Sequence, residues 1–94
     1  MKKKIENIIY QSIDELNNFL LDNDQKLEKS LKLIIFGSDS MLDSLSTINF
    51  IVILEEKINI TFNDDQFSLL DLINKGNIST GFDLVMALEN YFDN

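Results

Sequence analysis

An all-helical bundle is the fold class this chain predicts, and three observations predict it. The 94 residues contain no proline and only three glycines, so little interrupts a helix and repeated hairpin turns would lack their usual residues. Apolar residues recur with a helical period near the start of the chain. Helix start and stop signals then recur at Asp43, Gly76 and Thr80. With 45% hydrophobic against 26% charged residues, residues 1–94 read as one compact domain with a small core. The expected architecture is four helices, three longer and one short, with a long loop between the first and second.

The first helix follows from Ile5, Ile8, Ile9, Ile13, Leu16, Phe19 and Leu20, which form one stripe of a 3.6-residue period; Asp22-Asn23-Asp24 is expected to end it. The period is then lost as far as Asp43. Leu31, Leu33, Ile34, Ile35 and Phe36 supply enough apolar surface for a long ordered loop lying over the core, with room for one helical turn, before Gly37-Ser38-Asp39-Ser40 turns the chain. Asp43 is an expected N-cap, so a second helix runs from Ser44 to about Ile58. That helix is apolar on two sides: Leu45, Ile48 and Val52 on one, Phe50, Ile53 and Leu54 on roughly the other. Such a helix is either buried or has a second partner. Ile60-Thr61-Phe62 looks extended. Asn63-Asp64-Asp65 then places acids at the start of a short helix carrying Phe67, Leu70 and Ile73, which Gly76 stops. The last helix opens at Ser79-Thr80, where Thr80-Gly81-Phe82-Asp83 fits a capping box, and continues through Phe82, Val85, Met86, Leu88, Tyr91 and Phe92.

Charge and missing residue types narrow the function. Eight Lys+Arg against sixteen Asp+Glu give a net charge of −8. Up to Ser38 six lysines cancel six acids, whereas from Asp39 onward two lysines face ten acids, so the C-terminal part is the acidic surface. Such a surface repels phosphate backbones and anionic lipids and suits a basic protein partner, so neither nucleic acid nor membrane is an expected partner. The basic start, Met1-Lys2-Lys3-Lys4, is followed by polar residues where a signal peptide needs an apolar segment, and no run is long enough to span a bilayer. A cytoplasmic, monomeric protein is the expectation. With neither cysteine nor histidine, the usual nucleophile, general base and metal ligands are missing. No register fits a calcium loop, and no glycine-rich phosphate loop occurs. The chain is not expected to be an enzyme or to hold a metal.

One segment carries a specific signal. Asp43-Ser44-Leu45 opens the second helix, and Leu54-Glu55-Glu56 follows about three turns later. Together with the order of helices, this resembles the acyl and peptidyl carrier protein family, and the likeness covers most of the chain. The resemblance implies a four-helix carrier fold in which Ser44 accepts 4′-phosphopantetheine from coenzyme A, with Asp43 and Leu45 flanking the attachment point. A separate phosphopantetheinyl transferase would install the arm. The arm would then hold an acyl or aminoacyl group as a thioester, supplying the thiol that a cysteine-free chain lacks. The resemblance further implies that Leu45, Ile48 and Val52 face loading and transferring enzymes, while Glu55 and Glu56 meet basic residues on them. A rival register, Asp39-Ser40-Met41, places Ile51 rather than Glu55 eleven residues after its serine.

The chain also departs from the family. Fatty-acid synthesis carriers commonly have acids two and five positions after the serine, where this chain has Ser46 and Asn49. The run from Phe36 to Ser44 looks more like carriers dedicated to specialised pathways. The expected function is therefore that of a carrier for a specialised biosynthetic pathway, with a fatty-acid synthesis carrier as the alternative within the family. The alternative from another class is a small acidic helical interaction module without a prosthetic group.

Overall fold

The computed structural model describes residues 2–19, 26–37, 40 and 42–93, and among them every regular element is a helix. α1 spans Lys2–Phe19, α2 Ser44–Phe62, α3 Leu69–Lys75 and α4 Gly81–Asp93. α1 packs against both α2 and α4, and α3 packs against α2. The result is the expected small bundle of three longer helices and a short one.

α1 buries the face its sequence periodicity marked: Ile5, Ile8, Ile9, Ile13 and Leu16, with Ser12 among them. The Ser12 hydroxyl donates to the Ile8 carbonyl at 2.8 Å, so this buried polar group is satisfied within its own helix. Phe19 departs from the expectation. It continues the period but is 78% exposed at the last residue of α1. Leu20 and the expected terminator Asp22-Asn23-Asp24 lie outside the described residues.

Residues 26–37 of the connection between α1 and α2 lie over the core as expected, with Leu27, Leu31, Ile35 and Phe36 buried. It contains a turn closed by the Leu33 N–H on the Ser30 carbonyl at 3.3 Å. Three features hold it. The Asn17 side-chain amide pairs with both backbone groups of Leu27, accepting from its N–H at 2.7 Å and donating to its carbonyl at 2.9 Å. Lys29 pairs with Asp14 on α1 at 2.7 Å. Farther on, Ile34 and Thr80 form an isolated antiparallel bridge, around which the N–H groups of Ile35, Gly81 and Phe82 donate to the carbonyls of Ser79, Leu33 and Leu31. Gly81 permits this close approach: a Cβ there would lie 2.9 Å from both the Cα and the carbonyl oxygen of Leu31.

α2 starts where Asp43 predicts but runs one turn past Ile58. Ile60-Thr61-Phe62, expected to be extended, is helical, and the helix ends on Asn63 in the left-handed region (φ 52°). The reason is packing at that end. The Phe62 ring stacks on Phe92 of α4 with centroids 4.1 Å apart, and the Lys4 ammonium of α1 lies 5.7 Å from the Phe62 centroid. The short helix also begins later than expected. Asp64 accepts from the Gln66 N–H in a turn, Phe67 precedes α3 and is buried beside Tyr91 and Phe92, and Ser68 is the N-cap. Gly76 caps α3 at its C-terminus as expected. The capping box of α4 is formed: Asp83 accepts from the Thr80 N–H at 3.1 Å, and the Thr80 hydroxyl accepts from the Asp83 N–H at 3.2 Å. α4 turns Leu84, Val85 and Leu88 inward and leaves Phe82, Met86 and Tyr91 outward.

Candidate functional site

The N-terminus of α2 is built by Asp43. Its backbone is extended (φ −73°, ψ 175°), and its carboxylate accepts from the Ser46 N–H at 2.7 Å. The Asp43 carbonyl accepts from both the N–H and the hydroxyl of Thr47, at 2.9 and 2.8 Å. The backbone hydrogen bond from Ser46, then the Ser46 hydroxyl, holds the Asp43 carboxyl below its ordinary 3.8. Asp43 is therefore a fixed, ionised cap.

Ser44 is the first residue of α2 and is exposed, and its hydroxyl has no hydrogen-bond partner among the described residues. Ser40 is differently placed. Its hydroxyl donates to the Ile35 carbonyl at 2.6 Å and accepts from the Leu42 N–H at 3.1 Å, so it is committed to the loop and half-buried. Asp39 and Met41, the flanking residues of the rival register, lie outside the described residues.

The two apolar sides of α2 have different fates. Phe50, Leu54 and Ile58 are fully buried, each burial stabilising the fold by about 1.5–3 kcal/mol. Ile53 is half-buried against this core. Leu45, Ile48 and Val52 are exposed by 68%, 57% and 55%. They form a line on the solvent side that starts one residue after Ser44 and runs about 10 Å along the helix. Glu56 is exposed one turn beyond Val52. Ile60, 74% exposed, extends the same line, a feature hidden from the sequence by the extended reading of that segment.

Glu55 is not equivalent to Glu56. It is half-buried, and its carboxylate accepts from the backbone N–H of Leu69, the first residue of α3, at 2.9 Å. Lys57, the residue after Glu56, pairs with Glu15 of α1 at 2.9 Å. An open groove of about 520 Å³, lined by Lys3, Lys4, Asn7, Ile8, Gln11 and Thr61, lies at the far end of α2 from Ser44. Thr61 lies seventeen positions after Ser44 on the helix, about 25 Å along the axis, so the groove and the serine are separate places.

No helix among the described residues is long and apolar enough to cross a membrane. Comparison with protein-family models, with curated proteins and with solved structures finds no match to this chain.

Proposed function

We propose that the chain is a carrier protein of the acyl and peptidyl carrier type, with Ser44 as the attachment point of 4′-phosphopantetheine. The observation that carries this reading is the combination at the start of α2: an exposed serine, next to a fixed cap, whose hydroxyl has no partner among the described residues, followed on the same helix by an unburied apolar line. The site suits the group. Nothing among the described residues occupies the Ser44 hydroxyl, and the positive end of the α2 dipole favours a phosphodiester there. Asp43 already takes the Ser46 N–H, so the phosphodiester would rely on the dipole and on the donors of the first turn that Asp43 leaves unused.

In the modification the Ser44 oxygen bonds to phosphorus, the nucleotide portion of coenzyme A leaves, and the serine proton passes to a base on the phosphopantetheinyl transferase. The bound arm supplies the thiol on which an acyl or aminoacyl group is held as a thioester. The chain's own residues position that arm: Asp43 fixes the helix start, and Leu45, Ile48 and Val52 offer an apolar strip to the transferase and to loading and transferring enzymes. Glu56 beside the strip steers a basic partner more than it holds one. Ser46 and Asn49, where fatty-acid synthesis carriers commonly have acids, favour a specialised biosynthetic pathway over fatty-acid synthesis.

Mass spectrometry of the intact chain tests the reading, after incubation with coenzyme A, magnesium and a broad-specificity phosphopantetheinyl transferase. The expected result is a gain of one phosphopantetheine group, lost in Ser44→Ala and kept in Ser40→Ala. No gain with several transferases, on a chain shown to be folded, would overturn it. An acidic interaction module using the same apolar strip would then be the better reading, since that use of the strip needs no group on Ser44.

A further inference from the structure

The two acids of Leu54-Glu55-Glu56 have separate tasks. We propose that Glu55 is a positioning residue that latches α3 to α2, leaving Glu56 as the acid of this pair that faces a partner. The second half of the statement rests on the carrier reading, whereas the first stands on geometry alone.

α3 has seven residues, too few to hold a helix by its own hydrogen bonds. Its first N–H groups have no carbonyl inside the helix to donate to. The Ser68 hydroxyl accepts from the Asp71 N–H at 3.3 Å, which answers one of them. The Leu69 N–H is answered from outside the element, by the Glu55 carboxylate fourteen residues earlier. The Leu69 side chain is fully buried, so the same residue is held both by its backbone and by packing. The position of Leu70 and Asp71, both exposed on α3, relative to the strip on α2 therefore depends on Glu55.

Placement on the helix supports the division. Glu56 follows Val52 by four residues and so continues the exposed line, while Glu55 lies about 100° round the helix from Glu56, on the flank that meets α3. A carboxylate that is half-buried and bonded to a backbone amide is poorly placed to meet a partner's lysine or arginine. One that is exposed beside Val52 is well placed.

The test uses the full chain and reads the Leu69 amide by nuclear magnetic resonance hydrogen exchange in the wild type, Glu55→Ala, Glu55→Gln and Glu56→Ala. A hydrogen bond to a charged group is worth enough that its loss should speed Leu69 exchange by about tenfold or more in Glu55→Ala. Glu55→Gln keeps an acceptor oxygen and should restore most of the protection, and Glu56→Ala should leave it unchanged. In parallel, the KM of arm transfer should rise several-fold at low salt in Glu56→Ala, with kcat little changed and the effect fading as salt is added. Glu55→Gln removes the same charge and should not reproduce that rise. Unaltered Leu69 exchange in Glu55→Ala would overturn the latch. A KM rise in Glu55→Gln equal to that in Glu56→Ala would overturn the division of tasks. If the wild-type chain accepts no arm at all, the carrier reading and the docking half fall together, while Leu69 exchange still decides the latch.

Discussion

Replacing Gly81 with alanine tests the junction between the long loop and α4. The new Cβ would lie 2.9 Å from the Leu31 Cα, 2.9 Å from its carbonyl oxygen and 3.2 Å from its carbonyl carbon, against an ordinary contact of 3.4 Å or more. The shortfall, 3.4 − 2.9, is 0.5 Å, and the atoms it meets are backbone, so no side chain can swing aside. Either the loop or the start of α4 must move. Both are tied by the Phe82 N–H on the Leu31 carbonyl at 3.0 Å and the Gly81 N–H on the Leu33 carbonyl at 3.2 Å. Overpacking of this kind costs about 1–3 kcal/mol, and each weakened backbone hydrogen bond adds up to about 1 kcal/mol. The gain from alanine's better helix propensity offsets at most about 1 kcal/mol. The net expectation is a destabilisation of about 2 kcal/mol, which for a domain of this size lowers the melting temperature by roughly 10 °C. Far-ultraviolet circular dichroism during thermal and urea unfolding measures it. Gly76→Ala is the control, because its Cβ meets only ordinary contacts beginning at 3.5 Å, and its φ of −114° suits any residue. That variant should stay within about 0.5 kcal/mol of the wild type. A Gly81→Ala protein with an unchanged or higher melting temperature would refute the close-approach argument.

Three further outcomes follow from the same structure. Phe50→Ala should cost about 3–5 kcal/mol in urea unfolding, whereas Val52→Ala, two residues away on the exposed side, should stay within about 0.5 kcal/mol. Asn17→Ala should destabilise by about 1–3 kcal/mol, because it leaves both backbone groups of Leu27 without their partner; Asn17→Asp should recover only part, since it restores the acceptor and not the donor. Asp83 is held below its ordinary 3.8 by the backbone N–H groups of Thr80 and Ser79, so its ionised form stabilises the fold fully above that value and the contribution is lost as pH falls through the lowered one. The stability gap between wild type and Asp83→Asn, followed by thermal unfolding, should therefore be constant near neutrality and close on acidification below about pH 4.

What could be read from the sequence was what local chemistry decides. Asp43, Gly76 and the Thr80–Asp83 pair act on groups three or four residues away, so their roles are visible in the residues themselves. The inward face of α1 and the two faces of α2 follow from periodicity in the same way. The last turn of α2 was not legible, because β-branched residues at 60 and 61 resemble a strand, and the ring that keeps the segment helical belongs to Phe92, thirty residues on. The start of α3 was misplaced for a related reason: Asn63-Asp64-Asp65 looks like a helix start, but Phe67 is drawn out of any helix to bury its ring against Tyr91 and Phe92. At the candidate site, Ser44 and the apolar strip were legible as a motif and a period. The bond from Glu55 to Leu69 and the need for glycine at position 81 were not, since each depends on a backbone group brought in from a distant segment.

The apolar line on α2 also sets the colloidal behaviour of the protein. Leu45, Ile48, Val52 and Ile60 are exposed apolar surface that favours association, and the mutual repulsion of chains each carrying a charge of −8 opposes it in dilute buffer. That repulsion reaches about 10 Å at 0.1 M salt and only about 3 Å at 1 M, and it vanishes near the isoelectric point of 4.2. Under the proposed function, solubility and recognition would share one surface. Substitutions that neutralise exposed acids such as Glu56 and Asp65, which cap no helix and latch no element, would spare the folded core and lower the solubility.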